Sequence, residues 1–419
     1  MSELWDAPVA RGAVDATVTL PGSKSLTNRA LVLAALADGP STIGRPLRAR
    51  DTELMAAALR ALGTGVTDTA EDGWRVTPAP FRGPAQVDCG LAGTVMRFVP
   101  PLAALAHGDV TIDGDPRARE RPMGPVVTAL RQLGVAVDDG GRGALPFTVH
   151  GVGAVRGGAV TVDASTSSQF VSALLLVGAR FTQGVTVRHV GPAVPSRPHI
   201  AMTMAMLRDA GVAADEPATD VWQVRPGPVR ARDLLLEADI ANALPFAAAA
   251  LATGGRVRLV GWPRGSDYQP DAESRALLTA LGARLEDTPD GLVVSAAGRP
   301  RGTDLDLRRL GEQVPVVAAL AALAQSPTTI RGVAHLRGHE TDRLAALTRE
   351  LTALGTGDGL EIRPRRLHGG VFRTYDDHRL ATAAAVLGLV VPGVQVEDVG
   401  TTGKTFPGFV TAWTAMVTG

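Results

Sequence analysis

The stretch Leu20–Leu36, LPGSKSLTNRALVLAAL, opens on a Pro-Gly break and gathers Ser23, Lys24, Ser25, Thr27, Asn28 and Arg29 ahead of an apolar run. Hydroxyls and two cations in the first turn of a helix suit phosphate or carboxylate, because unpaired N–H groups and the positive dipole end also point there. One such stretch is equally an ordinary helix start with a solvated Lys and Arg. The chain repeats the device, however. Gly93 closes CGLAG with Thr94 and Arg97 just beyond it, Ser167, Ser168 and Gln169 close ASTSSQ, and Asp377, His378 and Arg379 close YDDHR. Elsewhere GDPRARERP carries Arg117, Arg119 and Arg121, RGHETDRL carries His339, Glu340, Asp342 and Arg343, and TTGKTFPG carries Lys404. These residues sit beside Gly and Pro breaks rather than on polar helix faces. As a set they read as machinery for multiply charged anions.

Other chemistries fit poorly. Gly403-Lys404-Thr405 has the end of a nucleotide-binding loop, but Asp398 stands where that loop needs Gly, and Phe406-Pro407-Gly408 interrupts the helix that should follow. His335 and His339 lack the Glu of a helical zinc motif. Cys89 is the single cysteine, so neither an intrachain disulfide nor a thiolate metal cage can form. No metal is expected.

Composition narrows the class. The chain has 419 residues, 45% hydrophobic and 20% charged, which suits two domains of a globular protein. A net charge of +0 and only nine Phe, five Trp and two Tyr argue against nucleic acid as a partner. The start, MSELWDAPVARG, carries acids and no apolar segment of a signal peptide. No stretch nears the ~20 apolar residues of a membrane span. A cytoplasmic protein is expected.

The elements that must position these residues repeat. Turns beginning at Pro21, Cys89, Ala164, Ala238, Leu310 and Tyr375 lie 68, 75, 74, 72 and 65 residues apart. Six units of about 70 residues fill the chain. Each turn follows a short extended run (VTL, AQVD, VTVD, LLLEA, LDL, VFRT) and precedes an Ala-rich helix and a β-branched strand. Pro245–Ala252, Val314–Ala324 and Leu380–Val390 are apolar nearly all round and predict buried helices. A second, amphipathic class (Asp51–Leu62, Pro125–Leu133, Ser274–Leu281) ends at Leu-Gly, a C-terminal stop. Each unit is expected to hold one helix of each class and about four strands. Three units would surround a bundle of buried helices with outer sheets, and the helix starts of two such domains would face a cleft.

The motifs PGSKSLTNR, LAGTVMR, RERP, SSQF, HETDRL, YDDHR and GKTFP, in this order over essentially the whole chain, resemble those of the 5-enolpyruvylshikimate-3-phosphate (EPSP) synthases. The resemblance implies an α/β, two-domain inside-out barrel of six βαβαββ repeats. One domain would be residues 22–238, the other 1–21 with 239–419, with the active site in the interdomain cleft. It implies transfer of the enolpyruvyl group of phosphoenolpyruvate to the 5-hydroxyl of shikimate-3-phosphate, with release of phosphate, in chorismate and aromatic amino-acid biosynthesis. No cofactor or metal takes part. Lys24, Gly93, Arg121, Gln169, Arg343, Arg379 and Lys404 would bind phosphoenolpyruvate. Lys24, Ser25, Arg29, Ser167, Ser168, Gln169, Ser196, Glu312 and His339 would hold shikimate-3-phosphate. Lys24, Glu312 and Glu340 would be catalytic, Glu312 accepting from the 5-hydroxyl and Glu340 with Lys24 moving protons. Glyphosate is the expected inhibitor, a monomer the expected state, and an open form closing on substrate the expected motion.

The chain departs from the family pattern at several of these positions. Leu91 stands for the frequent Asn, Glu312 for the commoner Asp, and Phe98 for the usual Pro after the Arg. His335 and His339 stand where other members carry Asn and Lys. An ordinary histidine titrates near neutrality, so loss of shikimate-3-phosphate affinity above pH ~7 is expected to be steeper than with Lys. Two alternatives stay open. The related UDP-N-acetylglucosamine enolpyruvyl transferases usually carry a reactive Cys in the arginine-rich loop, which Gly114–Pro122 lacks. A non-catalytic anion-binding protein on the same repeat would not need Lys24, Glu312, Glu340, Arg343, Arg379 and Lys404 together.

Overall fold

The computed structural model describes residues 3–351, 354–355 and 358–418, so the expected domain ends Met1 and Gly419 lie outside the described residues. Twelve α-helices run through the described chain. They are α1 (Lys24–Ala35), α2 (Arg50–Ala61), α3 (Gly93–Ala103), α4 (Gly124–Gln132), α5 (Gln169–Gly178) and α6 (Pro198–Asp209), then α7 (Ile240–Thr253), α8 (Asp271–Ala280), α9 (Val314–Leu323), α10 (Arg343–Leu351), α11 (His378–Gly388) and α12 (Phe409–Thr418). The odd-numbered helices are the buried class. In α9 and α11 every residue is buried, and in α5 every one but Gln169.

Two compact units divide the chain: Gly22–Leu236, and Met1–Pro21 with Glu237–Gly419. In the first, α1, α3 and α5 pack on one another; in the second, α7, α9 and α11 do so. Alanine makes this possible, since a helix with no bare polar face can be surrounded on all sides only if its neighbours approach closely. The sheets lie outside. Their strands alternate, as in Trp74–Thr77 with Trp74 and Val76 buried and Arg75 and Thr77 exposed, which leaves one face in water.

Among the described residues there are five four-stranded sheets and one three-stranded sheet, four of them built on a parallel pair linked across a buried helix. Thus Ala85–Asp88 pairs with His107–Asp113 around α3, and Gly158–Val162 with Val185–His189 around α5. In the other two sheets the first and fourth repeats exchange strands. Asp15–Thr19, which precedes α1, pairs with Arg256–Val260 after α7, whereas Leu234–Leu235, which precedes α7, pairs with Ser41–Gly44 after α1. The sixth unit is shorter than the four-strand expectation. Among the described residues only the strand Val394–Glu397 follows α11 before α12, and Leu4–Asp6 supplies its antiparallel neighbour.

Helix ends follow sequence chemistry. Gly63, Gly134 and Gly282 adopt φ of +100°, +82° and +105° just past α2, α4 and α8, a conformation open to Gly at little cost. The expected start of α7 at Pro245 needs correction. Asp239 caps the helix by accepting from the Asn242 N–H at 3.0 Å, so α7 begins at Ile240 and carries Pro245 inside it. The proline deceives because a helix start is where it is most often tolerated. Among the described residues no helix is long and apolar enough to cross a membrane.

Candidate active site

In the unit 22–236 the starts of the three buried helices come together. Asn28 on α1 donates to Thr94 Oγ1 on α3 at 2.9 Å. A Cβ placed on Gly93, the first residue of α3, would fall 3.2 Å from Gln169 Oε1 at the start of α5. The same point lies 3.1 Å from Arg121 Nη2 and 3.2 Å from Arg97 Nη1. Two guanidinium groups, an amide and a helix N-terminus therefore converge where glycine leaves room. Arg121 is fixed by donating to the Leu91 carbonyl at 3.2 Å. Leu91, despite its apolar side chain, thus contributes through its backbone. Arg97 is 2% exposed, and burial first, then the Arg121 charge, pull its pKa well down. An anion at this point relieves both effects.

Lys24 opens α1 and pairs with Asp51 Oδ2 at 3.2 Å. Ser25 is half-buried, and its carbonyl accepts from Arg29 Nη1 at 3.1 Å. Arg29 itself is only 1% exposed; it donates from Nε to Thr203 Oγ1 at 2.8 Å and from Nη2 to the His199 carbonyl at 3.1 Å. Its guanidinium also lies over the Phe98 ring at 5.2 Å, so the residue in place of the usual proline stacks on a buried cation. Burial pulls Arg29 down to about 9. Ser167 Oγ accepts from the Gln169 N–H, and Ser168, 4% exposed, is the residue before α5. Ser196 takes a left-handed φ of +49° two residues before α6, a conformation that non-glycine residues hold only when surrounding structure enforces it.

The unit containing 237–418 carries a network of alternating charges. Asp377 caps α11 by accepting from the Arg379 N–H at 2.9 Å, after Tyr375 and Asp376 in left-handed φ of +53° and +56°. It also receives Arg343 Nε at 2.7 Å and Nη2 at 3.2 Å. Glu312, in the 3-10 turn that leads into α9, accepts through Oε2 from Arg343 Nη1 and Arg379 Nε, both at 3.3 Å. Its Oε1 lies 3.7 Å from His339 Nδ1. Glu340 meets Lys404 Nζ at 2.9 Å with one oxygen and His378 Nδ1 at 3.1 Å with the other. Burial opposes the charge on Arg343, but Asp377, Glu312 and Glu340 outweigh it and push its pKa above the ordinary value. Glu340, Asp377 and His378 place metal-ligand atoms within 4.8 Å of one another. Lys404 and Arg343 already pair with those carboxylates, so charge pairing accounts for the cluster.

The sequence-predicted residues thus fall into two groups, Lys24, Ser25, Arg29, Gly93, Arg121, Ser167, Ser168, Gln169 and Ser196 in one unit, and Glu312, His339, Glu340, Arg343, Arg379 and Lys404 in the other. The clusters also contain Arg97, Asp51, Asp377, His378 and Asn242, to which the sequence assigns no substrate. Arg97, Asp377 and His378 lie inside motifs already singled out. Asn242 closes the turn that begins at Ala238, but a lone amide there carries no charge to mark it.

This fold is that of the enolpyruvyl transferases. An EPSP synthase from Acinetobacter baumannii superposes with a TM-score of 0.82 at 22% identity, over 99% of this chain and 98% of that one. The enolpyruvyl transferase NikO from Streptomyces tendae gives 0.76 at 18% identity, over 97% and 96%. A family model described as EPSP synthase (3-phosphoshikimate 1-carboxyvinyltransferase) matches residues 9–413, and the chain belongs to that family. A 3-phosphoshikimate 1-carboxyvinyltransferase from Kocuria rhizophila is 54% identical, over 99% of this chain and 97% of the relative.

Proposed function

We propose that Lys24, Glu312 and Glu340 move the protons of the carboxyvinyl transfer while the clustered cations hold its two anionic substrates. The enzyme joins phosphoenolpyruvate to shikimate-3-phosphate, a step of the shikimate pathway. The 5-hydroxyl oxygen bonds to C2 of phosphoenolpyruvate as the C3 methylene gains a proton, giving a tetrahedral phospho-ketal. Loss of the methyl proton then restores the double bond as the C2–O bond breaks and phosphate leaves.

The observation that carries the assignment is the pairing of Glu312 with Arg343 and Arg379. A carboxylate oxygen fixed by two guanidinium groups is held in one orientation, with the other oxygen directed elsewhere to accept from the hydroxyl. Glu340, between Lys404 and His378, can pass a proton to or from C3. Arg121, Gln169 and the Gly93 amide at one helix start, with Arg343, Arg379 and Lys404, bind the phosphate and carboxylate of phosphoenolpyruvate. Fixed donors of this kind supply the largest expected share of transition-state stabilisation. Ser25, Arg29, Ser167, Ser168, Ser196 and His339 hold shikimate-3-phosphate.

The test is phosphate release from phosphoenolpyruvate with shikimate-3-phosphate or UDP-N-acetylglucosamine as acceptor. Release with the shikimate ester alone is expected; release only with the nucleotide sugar, or with neither, overturns the acceptor assignment. The reading extends to inhibition by glyphosate, checked by titration against phosphoenolpyruvate, to a cytoplasmic location, and to a monomer, checked by sedimentation.

A further inference from the structure

Asn242 and Pro245, neither of which carries a group for the chemistry itself, are joined to two of the cations assigned above. Asn242 is 4% exposed and uses both ends of its amide. Its Oδ1 accepts from Arg379 Nη1 at 3.2 Å, and its Nδ2 donates to the Thr405 carbonyl, the residue after Lys404, at 2.7 Å. The same Arg379 Nη1 donates to the Ala241 carbonyl at 3.0 Å. In a regular helix that carbonyl belongs to the N–H four residues on, and here that residue is Pro245, which has none. The proline ring also crowds the carbonyl four residues before it and tilts it outward. The proline inside α7 therefore has a specific consequence: it leaves the Ala241 oxygen available to a guanidinium.

We propose that Asn242 and Pro245 are positioning residues that fix Arg379 and the Lys404 segment in register with each other. The inference rests on the assignment of Arg379 and Lys404 to phosphoenolpyruvate. A single buried amide reads the position of one cation through its oxygen and the backbone beside the other through its nitrogen. A shift of either arm breaks a buried hydrogen bond, so the pair is held as a unit. The Lys404 arm is further anchored by Phe406, whose ring packs on Phe246, the residue after Pro245, at 5.6 Å. The device lies within unit 237–418, where Arg379 also donates to Glu312 Oε2 at 3.3 Å.

The test compares Pro245→Ala, Asn242→Ala and Arg379→Gln in the full-length enzyme, with phosphate release followed as each substrate is varied in turn. Pro245→Ala restores the N–H that competes with Arg379, and Asn242→Ala removes both amide contacts. Each is expected to raise the KM for phosphoenolpyruvate roughly five- to tenfold, with a smaller rise for shikimate-3-phosphate passed on through the Arg379–Glu312 pair. Pro245→Ala is further expected to keep or raise Tm, because the helix gains a hydrogen bond, so weaker binding with undiminished stability separates positioning from mere folding. An unchanged KM for phosphoenolpyruvate in Pro245→Ala and Asn242→Ala, alongside a raised one in Arg379→Gln, overturns the positioning role. An unchanged KM in Arg379→Gln overturns the assignment of Arg379 and the positioning role with it. Should Asn242→Ala fail to fold, Pro245→Ala alone decides.

Discussion

Asp377 grips Arg343 with both carboxylate oxygens, and neither side chain is more than 1% exposed. Removing one partner of such a pair leaves the other charge buried and uncompensated, at a cost of about 3–5 kcal/mol. Asp377→Asn is therefore expected to lower Tm by roughly 6–12 °C. It should also raise the KM for phosphoenolpyruvate, since Arg343 loses the anchor that aims it. Calorimetry and steady-state kinetics check the two parts, and a variant with both values unchanged would show that Arg343 is held by Glu312 alone.

Glu340 stands between Lys404 and His378, with both its carboxylate and Lys404 only 10% exposed. Glu340→Gln keeps the shape and removes the ability to carry a proton. The expected outcome is a fall in kcat of about 10²–10⁴-fold, the usual share of a general acid–base group, with modest change in either KM. Rapid-quench measurement of the phospho-ketal locates the step. Normal accumulation and decay of the intermediate would remove Glu340 from proton transfer.

Much of this arrangement was legible in the sequence, and the exceptions have physical causes. Val314–Leu323 and the other apolar runs announce buried helices because no residue on them could face water. Leu62-Gly63 and its counterparts announce helix ends because only glycine readily adopts the required φ. The exchange of strands between Asp15–Thr19 and Leu234–Leu235 is implied by the family resemblance, which joins residues 1–21 to 239–419, and not by local pattern, since both runs look alike and pairing is decided by where the chain goes next. The burial of Arg29 is not readable locally, because the Thr203, His199 and Phe98 that surround its guanidinium lie 174, 170 and 69 positions away in the sequence. Asn242 went unnoticed because its meaning depends on Arg379 and Thr405, 137 and 163 positions away.

Gly93 is where space rather than charge decides. A methyl there would come within 3.1–3.2 Å of Arg121, Arg97 and Gln169, contacts that yield only if those side chains shift by a few tenths of an ångström. They are flexible ends rather than backbone, so Gly93→Ala should fold, with Tm little changed. The displaced donors should raise the KM for phosphoenolpyruvate about tenfold, or roughly 1.4 kcal/mol, with the shikimate-3-phosphate KM nearly constant. Equal increases for both substrates would mean that this helix start is not specific to phosphoenolpyruvate.

His335 sets a pH dependence of stability. Burial lowers its pKa from 6.5 to about 4; Glu312 opposes the shift and Arg343 adds to it. Its Nε2 lies 2.7 Å from where a Cβ on Gly311 would fall and has no hydrogen-bond partner among the described residues. The folded state thus holds the ring neutral, while the unfolded chain binds a proton as soon as pH drops below about 6.5. Because the unfolded state binds more protons in this window, stability falls with falling pH. The contribution is fully present above pH ~6.5, is lost progressively toward pH ~4, and is at most about 3 kcal/mol. In His335→Asn the titrating group is gone, so Tm measured from pH 7.5 down to pH 4.5 should decline less steeply than in the parent enzyme. Parallel curves would place the acid sensitivity in other groups and show that His335 takes up its proton while folded.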